Sequence, residues 1–210
     1  MTKPIHKKGN LAEKPNKRRT DSGPFVWTLD RYHLAIATGV LGEDDEAELL
    51  FGQLIAKTPV GEPHAQCLRI LNTYFVMRHG KSYYCQVQDP VTLPPDSEPQ
   101  PDYAIVTMKK YSKKTGHPGP DDIHLLVEVA SSSLPLDRHS KAIAYGKSGI
   151  NEYWIINLND RKVEVHLKPN KDSGDYTSIN HYSVGATFDS PFNGRTVVDD
   201  LLPDPTEEEE

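Results

Sequence analysis

Glu128 is the residue whose setting asks for an explanation. It interrupts the run Leu125-Leu126-Val127 and Val129-Ala130, which is otherwise apolar enough to lie inside a fold. An ionised carboxylate buried alone is costly, so it must be paired, protonated or bound to a cation. Asp102 stands in a similar place: it follows Pro101 and heads the apolar stretch Tyr103-Ala104-Ile105-Val106. If these two stretches are neighbouring strands, two carboxylates converge at one end of a sheet. Such a pair suits Mg²⁺ (or Mn²⁺), because Mg²⁺ binds through one or two acidic groups and keeps much of its water. Lys141 completes the set. Asp137, Lys141 and Tyr145 are spaced i, i+4, i+8, so on a helix they share one face. That helix follows the Glu128 strand directly and can lay this face over the strand end. Its ammonium would balance the carboxylates and stabilise developing negative charge, and Tyr145 would hydrogen-bond within the site or to a phosphate.

Each residue also has a plainer reading. Glu128 could be a structural acid paired with Lys141 or an arginine, and Asp102 could cap a turn after proline. Asp137 and Lys141 could form a surface ion pair worth a few tenths of a kcal/mol. What points to chemistry is the order of the three features: Pro-Asp, then a buried glutamate, then a lysine-bearing helix.

The elements that must position these residues can be read from periodicity. Thr28 to Leu41 has Leu29, Tyr32, His33, Ile36 and Val40 at helical spacing, with Thr28 as N-cap and Gly42 as stop. Residues 48–55 read as a tight hairpin turning at Phe51-Gly52. Glu62 to Arg78 is the strongest helix, with Cys67, Leu68, Leu71 and Phe75 as its stripe and Gly80 beyond its end. Strands are expected over Tyr83 to Leu93, closed by Pro94-Pro95, over Ala104 to Thr107, and over Leu125 to Val129. A helix over Asp137 to Lys147 starts near Ser133 or Leu134-Pro135. A hairpin, Tyr153 to Leu158 with Val163 to Leu167, turns at Asn159-Asp160. Tyr176 to Val184 and Thr187-Phe188 add strand material, and Val197 to Leu202 a last helical turn. The fold class is α/β: a mixed central sheet flanked by helices, with additional β-hairpins.

Composition narrows the function classes. The chain has 210 residues, 36% of them hydrophobic, and a net charge of −6; its mean hydropathy is −0.61. Residues 1–20 carry seven Lys and Arg against Glu13 alone, which leaves a strongly acidic remainder. That balance argues against broad phosphate binding, which rests on neutralising phosphates with Lys and Arg, yet it tolerates a local acidic metal site. We expect a disordered basic arm over residues 1–24, one domain over 25–202, and a disordered acidic tail over 203–210. The two cysteines, Cys67 and Cys85, exclude a disulfide scaffold or an all-cysteine zinc site and read as core residues of a reduced, cytoplasmic protein. No apolar run approaches eighteen residues, so no membrane span is expected. The basic start is not followed by the apolar segment of a secretory signal. The nine histidines include no H-E-x-x-H pairing. His64, after Glu62-Pro63, reads as a helix-start histidine that packs locally or meets a metal or phosphate. Ser131 to Ser133 lack a nucleophile elbow and read as turn and N-cap.

Taken together, Glu98-Pro99-Gln100-Pro101-Asp102, Val127-Glu128-Val129-Ala130-Ser131-Ser132-Ser133, Asp137, Lys141, Tyr145 and Gly149-Ile150-Asn151-Glu152-Tyr153-Trp154 resemble the Uma family of restriction endonucleases. That family sits within the PD-(D/E)XK nuclease superfamily. Residues 47–54 and Pro63-His64 resemble its hairpin and helix start. The resemblance implies a restriction-endonuclease-like core with Asp102 and Glu128 as metal ligands and the Val129 carbonyl as a third. It also makes Glu48 the extra acid that many such nucleases place near the metal. One departure stands out: the superfamily's lysine sits two residues after the acid, where this chain has Ala130, so Lys141 would have to reach in from the helix. The implied activity is Mg²⁺-dependent hydrolysis of phosphodiester bonds in DNA, and double-strand cutting by a one-site domain usually implies a homodimer. The competing expectation is a catalytically inactive nuclease-fold protein that binds nucleic acid or a protein partner.

Overall fold

The structure, a computed structural model, describes residues 24–57, 59, 61–112 and 115–205. The expected disordered arm up to residue 23 and the tail from residue 206 fall outside the described residues. Pro203 is buried, and its carbonyl accepts a hydrogen bond from Arg161 Nη1 at 3.0 Å.

Helix α1 (Leu29–Ala37) begins where its cap predicts: the Thr28 hydroxyl accepts from the Arg31 amide at 3.3 Å. It stops short of Gly42, because Gly39 takes φ +72° just beyond Thr38. Its buried residues are Tyr32 and Ala35, while Ile36 is 47% and Val40 71% exposed. The expected stripe is therefore displaced; the helix buries only a narrow edge. Strands β1 (Ala47–Leu50) and β2 (Gln53–Ala56) form the expected hairpin. Phe51 and Gly52 both have positive φ, +50° and +70°, as a two-residue hairpin loop requires. A side chain on Gly52 would also strike Val26 and the Trp27 backbone, the nearest atom at 2.1 Å.

Helix α2 (Glu62–His79) buries the predicted stripe of Cys67, Leu68, Leu71 and Phe75. Strand β3 (Tyr83–Val87) is shorter than the periodicity suggests. Gln88 turns at φ +54°, and the chain leaves the sheet. Val91 and Leu93 are still buried, but their amides bond to the carbonyls of Pro99 and Ser97 in a loop. Apolar alternation marked the burial correctly and the hydrogen-bonding partner wrongly.

Strands β4 (Tyr103–Thr107), β5 (Ile123–Ala130), β6 (Glu152–Asn157), β7 (Lys162–Pro169) and β8 (Tyr176–Ser183) complete a six-stranded sheet ordered β3-β4-β5-β6-β7-β8. Only β5 and β6 run parallel. Between them the chain crosses through one helical stretch: α3 (Leu134–Leu136), a π turn (Asp137–Lys141), then α4 (Ala142–Ser148). Strands β9 (Thr187–Ser190) and β10 (Gly194–Val197) pair separately; β10 was not foreseen. A 3₁₀ turn (Val198–Leu201) supplies the expected last helical turn.

Period-two alternation sorts the sheet's side chains onto two cores. Leu125, Val127 and Val129 join Trp154 and the α2 stripe on one face. Leu126 and Ala130 join Tyr153, Ala142 and Tyr145 on the other. Glu128, at an even position of β5, therefore faces the α4 layer.

Candidate active site

Glu128 is 1% exposed, and α4 meets it as the spacing predicts. Its Oε1 accepts from Lys141 Nζ at 3.0 Å and from the Tyr145 hydroxyl at 2.7 Å. Its Oε2 accepts from the Asp102 amide at 3.3 Å. Asp102 sits opposite because β4 and β5 are antiparallel with Tyr103 against Val127, which brings the head of one strand to the tail of the other. Asp102 returns the contact, its Oδ2 accepting from the Val129 amide at 2.8 Å.

Glu48 arrives from β1. It is 3% exposed, its Oε1 lies 3.5 Å from Lys141 Nζ, and its Oε2 accepts from the Gln100 amide at 2.8 Å. Asp137, on the π turn, is 2% exposed, and its Oδ2 is buried with no hydrogen-bond partner among the described residues. The π turn itself is pinned to β7 through Arg138, whose Nε donates to Glu164 Oε2 at 2.9 Å. π turns of this kind recur at functional sites. Glu48, Asp102, Glu128, Asp137, Lys141 and His64 all line one cavity of about 420 Å³.

The electrostatics are those of an acidic site with one enclosed cation. Burial pushes Glu128 well above the ordinary carboxylate range; Lys141 pulls it back, and Asp137, Asp102 and Glu48 push it up again. Burial likewise lifts Asp137, to about 6, against the opposing pull of Lys141 and Ser133. Burial alone would lower Lys141, but the four surrounding carboxylates outweigh it and hold the ammonium above its usual range. Asp102 ends below its ordinary value: burial raises it, and the His64 contact, the Val129 amide and Lys141 together overcome that. Tyr145 is driven well up, first by burial and then by Glu128, so its hydroxyl stays a donor.

The structure thus brings together every side chain singled out for the site: Glu48, Asp102, Glu128, Lys141 and Tyr145. Tyr145 is wholly buried and meets Glu128. Val129, whose carbonyl was the suggested third ligand, shows its amide engaged with Asp102. Ala130 packs on the same face as Glu128, so the lysine reaches the acid from the helix. Two residues were under-read. His64 Nε2 lies 3.0 Å from Asp102 Oδ1, and Gln88 Nε2 donates to that same oxygen at 3.2 Å. The position of His64 in the first turn of α2 was a usable signal; nothing local marked Gln88.

The donor set fits a hard divalent cation. It consists of carboxylate oxygens, outnumbers its one ammonium, and includes the orphaned Asp137 Oδ2. Among the described residues, no three His, Cys, Asp or Glu side chains group as ligands of one ion. Two carboxylates with water completing the shell is a ligand count that Mg²⁺ commonly accepts. Among the described residues no helix is long and apolar enough to cross a membrane.

Comparison with known proteins bears on the family and the fold. Residues 29–194 match the model of the Uma2 family, described as "Putative restriction endonuclease". The chain is also similar to the crystal structure of "a putative nuclease belonging to DUF820" from Anabaena variabilis ATCC 29413. The identity is 16%, the TM-score 0.61, and the match covers 83% of this chain and 96% of that one, a likeness of fold. No curated protein matches the chain. With the match spanning most of its length, the chain belongs to the Uma2 family.

Proposed function

We propose that the protein is an endonuclease that hydrolyses phosphodiester bonds in DNA at a Mg²⁺ site held by Asp102 and Glu128. The observation that carries this reading is the convergence of three buried carboxylates, Glu48, Glu128 and Asp137, the part-buried Asp102 and one ammonium on a single cavity. Burial that leaves like charges facing one another costs stability, and such cost is a feature of sites arranged for binding or chemistry. When bound, a divalent cation polarises the phosphate and generates a nucleophile from water.

The chain's own residues supply the rest. Asp102 and Glu128 present oxygens from opposite strands, with the Val129 carbonyl a third candidate. Lys141, kept as an ammonium by its neighbours, offers N–H donors to charge that develops on the phosphate. Tyr145 fixes Glu128 by donating to Oε1 and holds it in one orientation. Glu48 shares the ammonium and restrains it from the side of β1. The acidic cavity would repel a bare phosphate, so DNA engages it only once cation charge offsets the carboxylates.

The test is metal-dependent DNA cleavage by the purified protein, with Asp102→Ala and Glu128→Ala alongside. Each substitution is expected to abolish cleavage; full activity surviving either one rejects the assignment.

A further inference from the structure

We infer that His64 and Gln88 make Asp102 a one-oxygen ligand and thereby set which divalent cation the site prefers. The inference rests on the reading of the cavity as a cation site. It follows from counting the lone pairs of two carboxylates, each oxygen of which offers about two acceptor positions.

On Asp102 the two oxygens are unequally used. Oδ1 meets His64 Nε2 at 3.0 Å and Gln88 Nε2 at 3.2 Å, so both of its positions are filled. A carboxylate only accepts, which places the imidazole proton on His64 Nε2. Among the described residues Oδ2 meets the Val129 amide alone and keeps a position open. On Glu128 the pattern repeats. Oε1 is filled by Lys141 and Tyr145, while Oε2 has, among the described residues, only the Asp102 amide, at 3.3 Å. The open positions are therefore on Asp102 Oδ2 and Glu128 Oε2, the two oxygens that also take part in the reciprocal backbone clasp between residue 102 and residues 128–129.

A cation held there takes one oxygen from each carboxylate. That suits Mg²⁺, which demands near-octahedral geometry and retains several waters. It disfavours Ca²⁺, which gathers six to eight oxygens and readily takes a carboxylate through both. The donors that close Oδ1 come from the start of α2 and the turn after β3; those that close Oε1 come from the helical stretch on the other face. One layer thus fixes the denticity of Asp102 and the other that of Glu128. His64 and Gln88 are positioning residues in this arrangement.

The experiment is calorimetric titration of the full chain with Mg²⁺ and with Ca²⁺, without DNA, for wild type, His64→Ala, His64→Gln and Gln88→Ala. Metal-free thermal unfolding is measured on the same samples. Removing such a supporting hydrogen bond weakens metal binding roughly 10- to 100-fold. His64→Ala is expected to show that loss for Mg²⁺ and a smaller one for Ca²⁺, shifting the affinity ratio toward Ca²⁺. His64→Gln, which keeps an N–H donor, should recover part of the preference, and Gln88→Ala should shift it less. Equal losses for both ions, with a lowered metal-free melting temperature, would assign His64 a structural role and overturn the inference. A ratio unchanged in every variant of a wild type that binds metal overturns it too, while leaving the cation site standing. A wild type that binds neither ion removes the cation site and the inference together. Should His64→Ala fail to fold, His64→Gln and Gln88→Ala decide, since Gln88 is exposed and its truncation opens no core.

Discussion

Glu128 and Glu152 are both buried glutamates in the same sheet, 1% and 2% exposed, yet they live in opposite environments. Glu152 opens β6 on the face that carries Trp154. Its Oε1 accepts from Trp154 Nε1 at 2.8 Å and Ser190 Oγ at 2.6 Å, and its Oε2 from the Phe192 amide at 2.9 Å. Every partner is neutral, and together they tie the β9–β10 hairpin to the sheet. Glu128, near the end of β5 and on the other face, meets an ammonium, a phenol and three further acids at a cavity wall. Burial raises both carboxyls, but only around Glu128 do like charges add to it. Burial of an acid therefore does not by itself mark a candidate site. Like charge only partly relieved, beside an open cavity, is the sharper signal.

The comparison breaks most visibly in catalysis. If Glu128 holds the cation as proposed, Glu128→Gln should remove several kcal/mol of transition-state stabilisation, on the order of a 10³-fold loss of cleavage. Glu152→Gln should leave cleavage by folded protein near wild type. Gel assays on both variants under identical Mg²⁺ decide it, and equal losses would erase the distinction.

Stability should reverse the ranking. Truncating Glu152 to Ala strands buried donors from Trp154, Ser190 and Phe192, at about 1–3 kcal/mol for an unsatisfied group. Glu128→Gln in metal-free protein relieves repulsion among the acids and should cost far less, or stabilise. Urea unfolding of the two variants measures the difference. A larger loss for Glu128→Gln would make that acid a structural keystone.

The smallest effect is a pH dependence that separates the two faces of the problem. Asp137 titrates near 6 in the fold against 3.8 in the unfolded chain. Between these values the folded state binds more protons, so its contribution to stability is present below about pH 4 and is lost as pH rises through 6. His166, buried between Tyr153 and Tyr176 with neither ring nitrogen hydrogen-bonded to any described residue, works the other way. Burial lowers it from 6.5 to about 4, so its contribution is lost as pH falls through that window. Metal-free melting curves from pH 4 to 7 should therefore flatten in opposite senses in Asp137→Asn and His166→Phe. Parallel behaviour of the two variants would contradict the assignment.

Short-range pattern was enough to single out residues that the fold brings together in the candidate site. A carboxylate set in an apolar strand, a Pro-Asp at a strand head, and an i, i+4, i+8 face are all written within a few residues, because strand and helix periods fix which neighbours share a side. The same logic located the Phe51-Gly52 hairpin and the buried stripe of α2. It failed where partners are chosen over distance. Val91 and Leu93 alternate like a strand, but their amides found loop carbonyls instead of a ladder. The stripe of α1 was set by what packed on it, which left Ile36 and Val40 outside.

The sequence by itself determined that Asp102, Glu128, Lys141 and Tyr145 could meet, since each sits at a position whose orientation follows from local backbone geometry. Tertiary structure alone decided that Glu48 would be buried against Lys141, that Asp137 would be left with an unpartnered oxygen, and that His64 and Gln88 would close one side of Asp102. Those outcomes depend on how separate layers pack and which lone pairs remain once they have. Polarity patterns carry no record of either.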